Sequence, residues 1–445
     1  MFEKKEPLTY KKIFIFWIPL AATWLMMSTE GPFLAAVIAR LTNPKYNLAA
    51  YGVAFSFAVL MEAPIIMIMS ASTALVKDKN SYIKLRNFTF VLNGLITFIM
   101  IIFVFPPVFY FITQRLIGLP ETVAQLTHHA CLVLLPWPGA IGYRRFYQGI
   151  LIRSNLTRRV AYGTVLRLIS MAATAIFCYR FFNLEGALVG ALGLTFGVSA
   201  EAIASRIMTS NSVKRLQEKE SNHSEEKPLT YRSIMEFYYP LALTSILALG
   251  VHPIAIFFIA RSRMAIESLA VFPVIYSLVF IFRSMGLSFQ EVGIALMGKF
   301  NENFRLLRNF AAGLGLAVTS ALALITFTPL FVFWFNKVSG LSMELTGFSR
   351  FPTQMLVLLP GLTVLISFQR AILVNNKKTT PITIATSIEV VSIIIILIFT
   401  IQFLGFTGVI SAALAIATGR LFANGYLFLP CNKVLNEGIK EPRAE

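Results

Sequence analysis

Runs of about twenty apolar residues recur from one end of this 445-residue chain to the other. Each is long enough, at about 1.5 Å per helical residue, to cross about 30 Å of hydrocarbon. Lipid tails offer no partner to a peptide group, so such runs fold as helices that satisfy their own backbone. Twelve are drawn from the pattern: 13–40, 48–76, 88–112, 122–151, 160–181, 185–208, 233–260, 268–297, 309–335, 350–374, 381–403 and 406–430. A hydrophobic share of 56% with only 13% charged residues excludes a soluble globular protein. The expectation is an all-α, multi-pass membrane protein.

The net charge of +18 points to the membrane once its placement is read. With a cytoplasmic N-terminus, 24 basic residues fall in cytoplasmic segments and 7 on the far side. This positive-inside bias accounts for most of the excess, places both termini in the cytoplasm and removes the case for a nucleic-acid partner. Eight basic residues remain within spans, and all are arginine: Arg144, Arg145, Arg167, Arg180, Arg206, Arg283, Arg370 and Arg420.

The chain also resembles itself. "PLTYKKIFIFWIPLAATWLMMSTEGPFLAAVIAR" (7–40) aligns without a gap on "PLTYRSIMEFYYPLALTSILALGVHPIAIFFIAR" (228–261). "LRNF" at 85–88 recurs at 307–310, and "LVLLP" at 132–136 recurs at 356–360. An even number of spans per half predicts two parallel six-helix repeats: lobes at 1–209 and 229–445, joined by a polar cytoplasmic linker at 210–228. Two such lobes are a common framework for alternating access. Pro32 and Pro253 are expected to interrupt the first helix of each half, and Pro136 with Pro138 and Pro360 the fourth.

In "LLPWPGAIGYRRFYQGIL" (134–151), Arg144 and Arg145 are adjacent and diverge by about 100° around the helix, so they cannot both reach the interface by the same route. Arg144 shares a face with Gln148. Gln369 and Arg370 stand near the same depth in the second half, Arg167 aligns with Glu389 at an offset of 222, and Arg283 aligns with Glu62. The opposite charges of Arg167 and Glu389 at related positions are candidates either to pair across the halves or to mark a cavity asymmetric in charge. Guanidinium forks bind carboxylates and phosphates bidentately and keep their charge. Arg144, Arg145, Gln148, Arg167, Arg283, Gln369 and Arg370 are therefore the candidate substrate-binding residues, and the substrate an anion. The competing reading is internal pairing with Glu30, Glu62, Glu201, Glu291 and Glu389. Those carboxylates, with His252, are the candidates for coupling transport to H⁺ or Na⁺.

No enzyme constellation, metal-ligand spacing, cofactor motif or nucleotide-binding loop is present, and Cys131, Cys178 and Cys431 read as buried thiols. The span count and length resemble the multidrug and toxic-compound extrusion (MATE) fold. "LAAYGVAFSF" (48–57), "FYYPLAL" (237–243), "ESLAV" (267–271) and "NKKT" (376–379) resemble the progressive ankylosis family, a MATE-like branch. That resemblance implies export of anionic metabolites such as pyrophosphate, citrate and ATP. MATE drug exporters use an aspartate in the first helix where this chain has Glu30, which weighs against antiport of cationic drugs. The expectation is a monomeric secondary transporter of the inner (plasma) membrane exporting small organic or phosphorylated anions. A multidrug exporter, a lipid-linked precursor flippase and a non-transporting scaffold or channel remain as alternatives.

Overall fold

The computed structural model describes residues 8–154, 156–218, 229–298, 301–376 and 378–440, with side chains as far as 436. Among the described residues, every regular element is helical. The helices are α1 (Tyr10–Ser28), α2 (Glu30–Ile38), α3 (Pro44–Glu62), α4 (Ile68–Leu75), α5 (Lys79–Val104), α6 (Pro106–Tyr110), α7 (Glu121–Val133), α8 (Trp137–Arg153), α9 (Thr157–Phe181) and α10 (Gly186–Glu218). They continue with α11 (Tyr231–Ala260), α12 (Ala265–Leu296), α13 (Phe304–Phe327), α14 (Leu330–Val332), α15 (Met343–Met355), α16 (Leu359–Asn375), α17 (Thr380–Ile398) and α18 (Gly408–Lys440). Large apolar side chains such as Phe98, Ile169, Ile203, Phe428 and Leu429 point outward, as helices solvated by lipid tails require.

Among the described residues, ten helices or end-to-end helix pairs are long and apolar enough to cross a bilayer, against the twelve expected. The expected spans 48–76 and 122–151 fall outside that set, and each is divided, into α3 with α4 and α7 with α8. Proline causes both divisions, since it lacks an N–H and its ring clashes with the preceding turn. Pro64 lies in the first break and Pro136 in the second. The carbonyls that the breaks release are received by protein: Tyr238 Oη donates to the Pro64 carbonyl, and Thr195 Oγ1 to that of Val133 at 3.0 Å. The fourth span of the second half is likewise interrupted at 356–358, just before Pro360. The chain also breaks at Thr29, between α1 and α2 and three residues before Pro32. Pro253 departs from expectation, because α11 runs through it and Pro240 without interruption.

The repeated "PLTY" entry has a local cause. Thr9 Oγ1 accepts from Lys12 N–H at 3.3 Å, and Thr230 Oγ1 from Ser233 N–H at 3.1 Å, so both threonines are N-caps. The polar stretch from 210 is helical as far as Glu218, within α10; residues 219–228 lie outside the described ones.

By contact, the chain forms two compact units, and their boundaries differ from those of the sequence halves. One unit is Phe33–Ala270. It holds α11, whose Tyr238 ring packs edge-on to Phe88 at 5.4 Å. The other contains the residues up to Pro32 with those from Val271 onward. There α1 is fastened to α12 by the Trp17 indole, which donates to Ser288 Oγ at 2.8 Å and to the Met285 carbonyl at 3.3 Å. The first long helix of each sequence half thus packs with the remaining helices of the other half.

Close helix approach inside each unit depends on glycine. A Cβ on Gly197 of α10 would lie 3.0 Å from the Arg167 carbonyl oxygen of α9, and one on Gly419 of α18 would lie 3.0 Å from that of Glu389 on α17. Both pairs are separated by the 222-residue offset seen in the sequence. Gly197→Ala or Gly419→Ala is expected to cost about 1–3 kcal/mol through overpacking. Thermal melting in detergent checks this, with Gly313→Ala as control. Nothing lies within 4 Å of the methyl that Gly313→Ala adds, so that variant keeps or slightly gains stability.

Candidate functional site

Six of the eight intramembrane arginines gather in two clusters, one in each unit. Of the other two, Arg180 is exposed in the last turn of α9, and Arg206 lies over the Tyr147 ring at 5.2 Å. In the unit Phe33–Ala270, the centre is Glu201 of α10, fully buried. Arg144 Nη1 of α8 donates to its Oε2, and Arg167 Nε of α9 forms an ion pair with the same oxygen at 3.5 Å. Its other oxygen accepts from Gln148 Nε2 at 2.9 Å and Thr164 Oγ1 at 3.5 Å. Gln148 is one turn beyond Arg144, so the shared face read from the sequence turns toward a carboxylate supplied by the protein itself. Glu62 of α3 accepts from the Trp137 indole at 2.9 Å. Arg145, half-buried, touches Met69 Sδ at 3.6 Å and feels the field of both Glu201 and Glu62. Three arginines here face two carboxylates.

The second cluster, built from α12, α16, α17 and α18, is balanced differently. Arg420 points both Nε, at 2.9 Å, and Nη2, at 2.8 Å, at the same oxygen of Glu389. The other Glu389 oxygen has no protein partner among the described residues. Arg283, 7% exposed, donates to Thr363 Oγ1 and Tyr276 Oη, each at 3.3 Å. Arg370 donates to Thr386 Oγ1 at 3.3 Å. Among the described residues, neither Arg283 nor Arg370 has a carboxylate in ion-pair range. Arg420 feels both Glu389 and Arg283, and Arg370 feels both Arg420 and Glu389, so the four charged groups form one electrostatic unit. Gln369 Nε2 donates to the Asn424 carbonyl at 3.0 Å, while Gln369 Oε1, Asn424 Oδ1 and Arg370 Nε are buried without a hydrogen-bond partner. Three arginines face one carboxylate, and polar atoms are left open beside them.

A model of the progressive ankylosis protein (ANKH) family matches residues 1–263, more than half of the chain. The chain belongs to that family. Its fold is that of MATE-type membrane transporters. An inward-facing multidrug resistance MATE family transporter of the MOP superfamily superposes with a TM-score of 0.71 at 16% identity, over 94% of this chain and 96% of that one. The lipid II flippase MurJ, in an inward closed conformation, gives 0.68 at 15% identity, over 95% and 91%. A MOP superfamily transporter from Pyrococcus furiosus, described by a reverse polarity of its binding pocket, gives 0.66 at 16% identity, over 98% and 100%. No curated protein matches the chain.

In this ANKH-family chain the competing reading of internal pairing holds for Arg144 and Arg167, which Glu201 engages. Each within its own unit, Arg167 meets Glu201 and Glu389 meets Arg420. Aligned positions nevertheless carry opposite signs, at Glu62 and Arg283 and at Arg167 and Glu389. The structure places Gln369 and Arg370 in the same unit and cluster as Arg283. Among the coupling candidates, Glu62, Glu201 and Glu389 lie inside the clusters. Glu30 is half-buried at the start of α2, His252 is half-buried edge-on to Phe55 at 6.1 Å, and Glu291 is exposed on α12. Sequence reasoning counts Arg420 among the intramembrane arginines without making it a binding candidate, and passes over Asn424, Thr363, Thr386 and Trp137. Only Arg420, as an arginine within a span and one turn before Asn424, carries a signal that could have found it.

Removing a carboxylate that two buried arginines engage takes an ion-pair partner from both. Glu201→Gln is expected to cost about 3–5 kcal/mol, read as a lower melting temperature and loss of monodisperse protein in detergent. Adding Arg144→Met to Glu201→Gln recovers part of the loss; no recovery would mean that Arg144 draws its balance from elsewhere.

Proposed function

We propose that this protein is a secondary active transporter that works by alternating access and exports small organic or phosphorylated anions, with citrate and pyrophosphate as test substrates. The observation that carries the reading is the cluster of Arg283, Arg370 and Arg420 around the single carboxylate of Glu389. Buried cations in a membrane helix are costly unless an anion, a carboxylate or water meets them. Here Arg283 is met by two hydroxyls and the face of the Tyr276 ring at 5.7 Å, and Arg370 by one hydroxyl, all uncharged partners, and an anionic cargo supplies the negative charge that is missing. Family membership agrees with this, as does a MOP superfamily neighbour whose pocket polarity is reversed.

The architecture proposed is two parallel six-helix halves, working as a monomer in the inner (plasma) membrane with both termini in the cytoplasm, as the distribution of basic residues supports. Glu62 and Glu30 are the proposed carriers of a coupling H⁺ or Na⁺, with His252 and Glu291 as further candidates. In the cluster on Glu201, Arg144, Arg145, Gln148 and Arg167 offer a second set of donors, and Arg145 is the member least committed to Glu201.

Flux in proteoliposomes tests the reading. Labelled citrate or pyrophosphate is expected to enter saturably, and Arg283→Ala to lower kcat/KM by about 10- to 100-fold, the scale of one charge-assisted hydrogen bond. Flux of a lipophilic organic cation that survives Arg283→Ala, with no anion flux in the unsubstituted protein, would return the chain to the multidrug exporters.

A further inference from the structure

We infer that Glu389 is a specificity-determining residue: a resident negative charge that sets how many charges an anion needs in order to bind beside Arg283, Arg370 and Arg420. This rests on the anion-transport reading above and deepens it. The three arginines supply three positive charges and Glu389 removes one, so the cluster is neutralised by a compact dianion.

Comparison with Glu201 separates a structural carboxylate from a tuning one. Glu201 is fully enclosed, both of its oxygens are engaged, and four side chains from α8 and α9 converge on it. Its charge is spent on holding helices together. Among the described residues, Glu389 has one oxygen engaged, by Arg420 alone, and one without a protein partner. It also lies within a turn of Thr386, the only residue that Arg370 engages by hydrogen bond among the described ones. A ligand group reaching Arg370 therefore enters the field of Glu389, and each further negative charge on the ligand is repelled by it.

The surroundings are built to be completed by a ligand. Arg283, Gln369, Asn424 and Glu389 are each more than nine-tenths buried. Arg370 Nε, Gln369 Oε1 and Asn424 Oδ1 have no partner, an arrangement that natural interiors avoid unless water or a ligand fills it. The mixture of open donor and open acceptors suits a dianion that also bears a hydroxyl or a protonated oxygen. Arg420 and Asn424 lie one turn apart on α18, and Gln369 holds the Asn424 backbone, so these groups are fixed relative to one another.

The test is ligand-dependent melting of the purified full-length protein in detergent at pH 7.5, titrated with acetate, succinate and tricarballylate, which share one functional group and differ in charge. Binding to the native state raises the melting temperature in proportion to affinity. The unsubstituted protein is expected to prefer succinate. Glu389→Gln is expected to shift preference toward tricarballylate by about tenfold, the effect of one unit charge about 10 Å away at an effective dielectric near 20. Glu389→Asp keeps the original order. Should Glu389→Gln not fold, Arg370→Gln approaches from the other side and moves preference down toward acetate. Succinate binding whose preference is unchanged in the folded variants overturns the role of Glu389 and leaves the anion reading intact. No stabilisation of the unsubstituted protein by any of the three overturns both.

Discussion

A guanidinium group keeps its charge in a membrane, and in hydrocarbon that charge must be met or it opposes insertion of the helix that bears it. The interior of this protein is organised around that constraint. In the cluster on Glu201, a fully buried carboxylate gathers Arg144 and Arg167, so helices α8, α9 and α10 are joined by charge as well as by packing. In the other, a single carboxylate meets Arg420 while Arg283 rests on two hydroxyls and the Tyr276 ring and Arg370 on one hydroxyl. The same residue chemistry thus gives one cluster with an excess of one positive charge and one with an excess of two, and the difference comes from how many glutamates each contains.

Local features place those charges. Gly197 and Gly419 let α10 and α18 approach the backbones of Arg167 and Glu389, which sets the two charged residues against the last long helix of their sequence half. Threonine caps start α1 and α11, and proline divides the second and fourth spans of the first half. Each division releases a carbonyl that lipid would not accept, and Tyr238 and Thr195 accept the task of donating to them. Backbone irregularity and buried charge are therefore supported by the same packed interior.

Much of this was legible in the sequence because hydrocarbon imposes so few solutions. The long apolar runs mark the helices, "PLTY" marks two caps, and an offset of 222 brings Arg167 into register with Glu389 and Gly197 with Gly419. Partner choice was not legible. Register equates Arg167 with Glu389, yet the actual partners, Glu201 and Arg420, come from neighbouring helices whose rotation about their own axes no single sequence reveals. Proline was an incomplete guide for a related reason: Pro253 sits in an unbroken helix, whereas Pro64, which drew no attention, divides a span. The packing of α1 with α12, and of α11 with α5, depends on Trp17 and Tyr238, two aromatic residues that a run of apolar neighbours conceals.

The central claim is that the positive excess around Arg283, Arg370 and Arg420 is where an anion binds. The most direct measurement is a structure of the protein with bromosuccinate, locating bromine by its anomalous scattering. The account predicts a bromine peak within contact distance of these three arginines. A peak confined to the cluster of Arg144, Arg145 and Arg167, or no peak at a concentration that saturates transport, would contradict it.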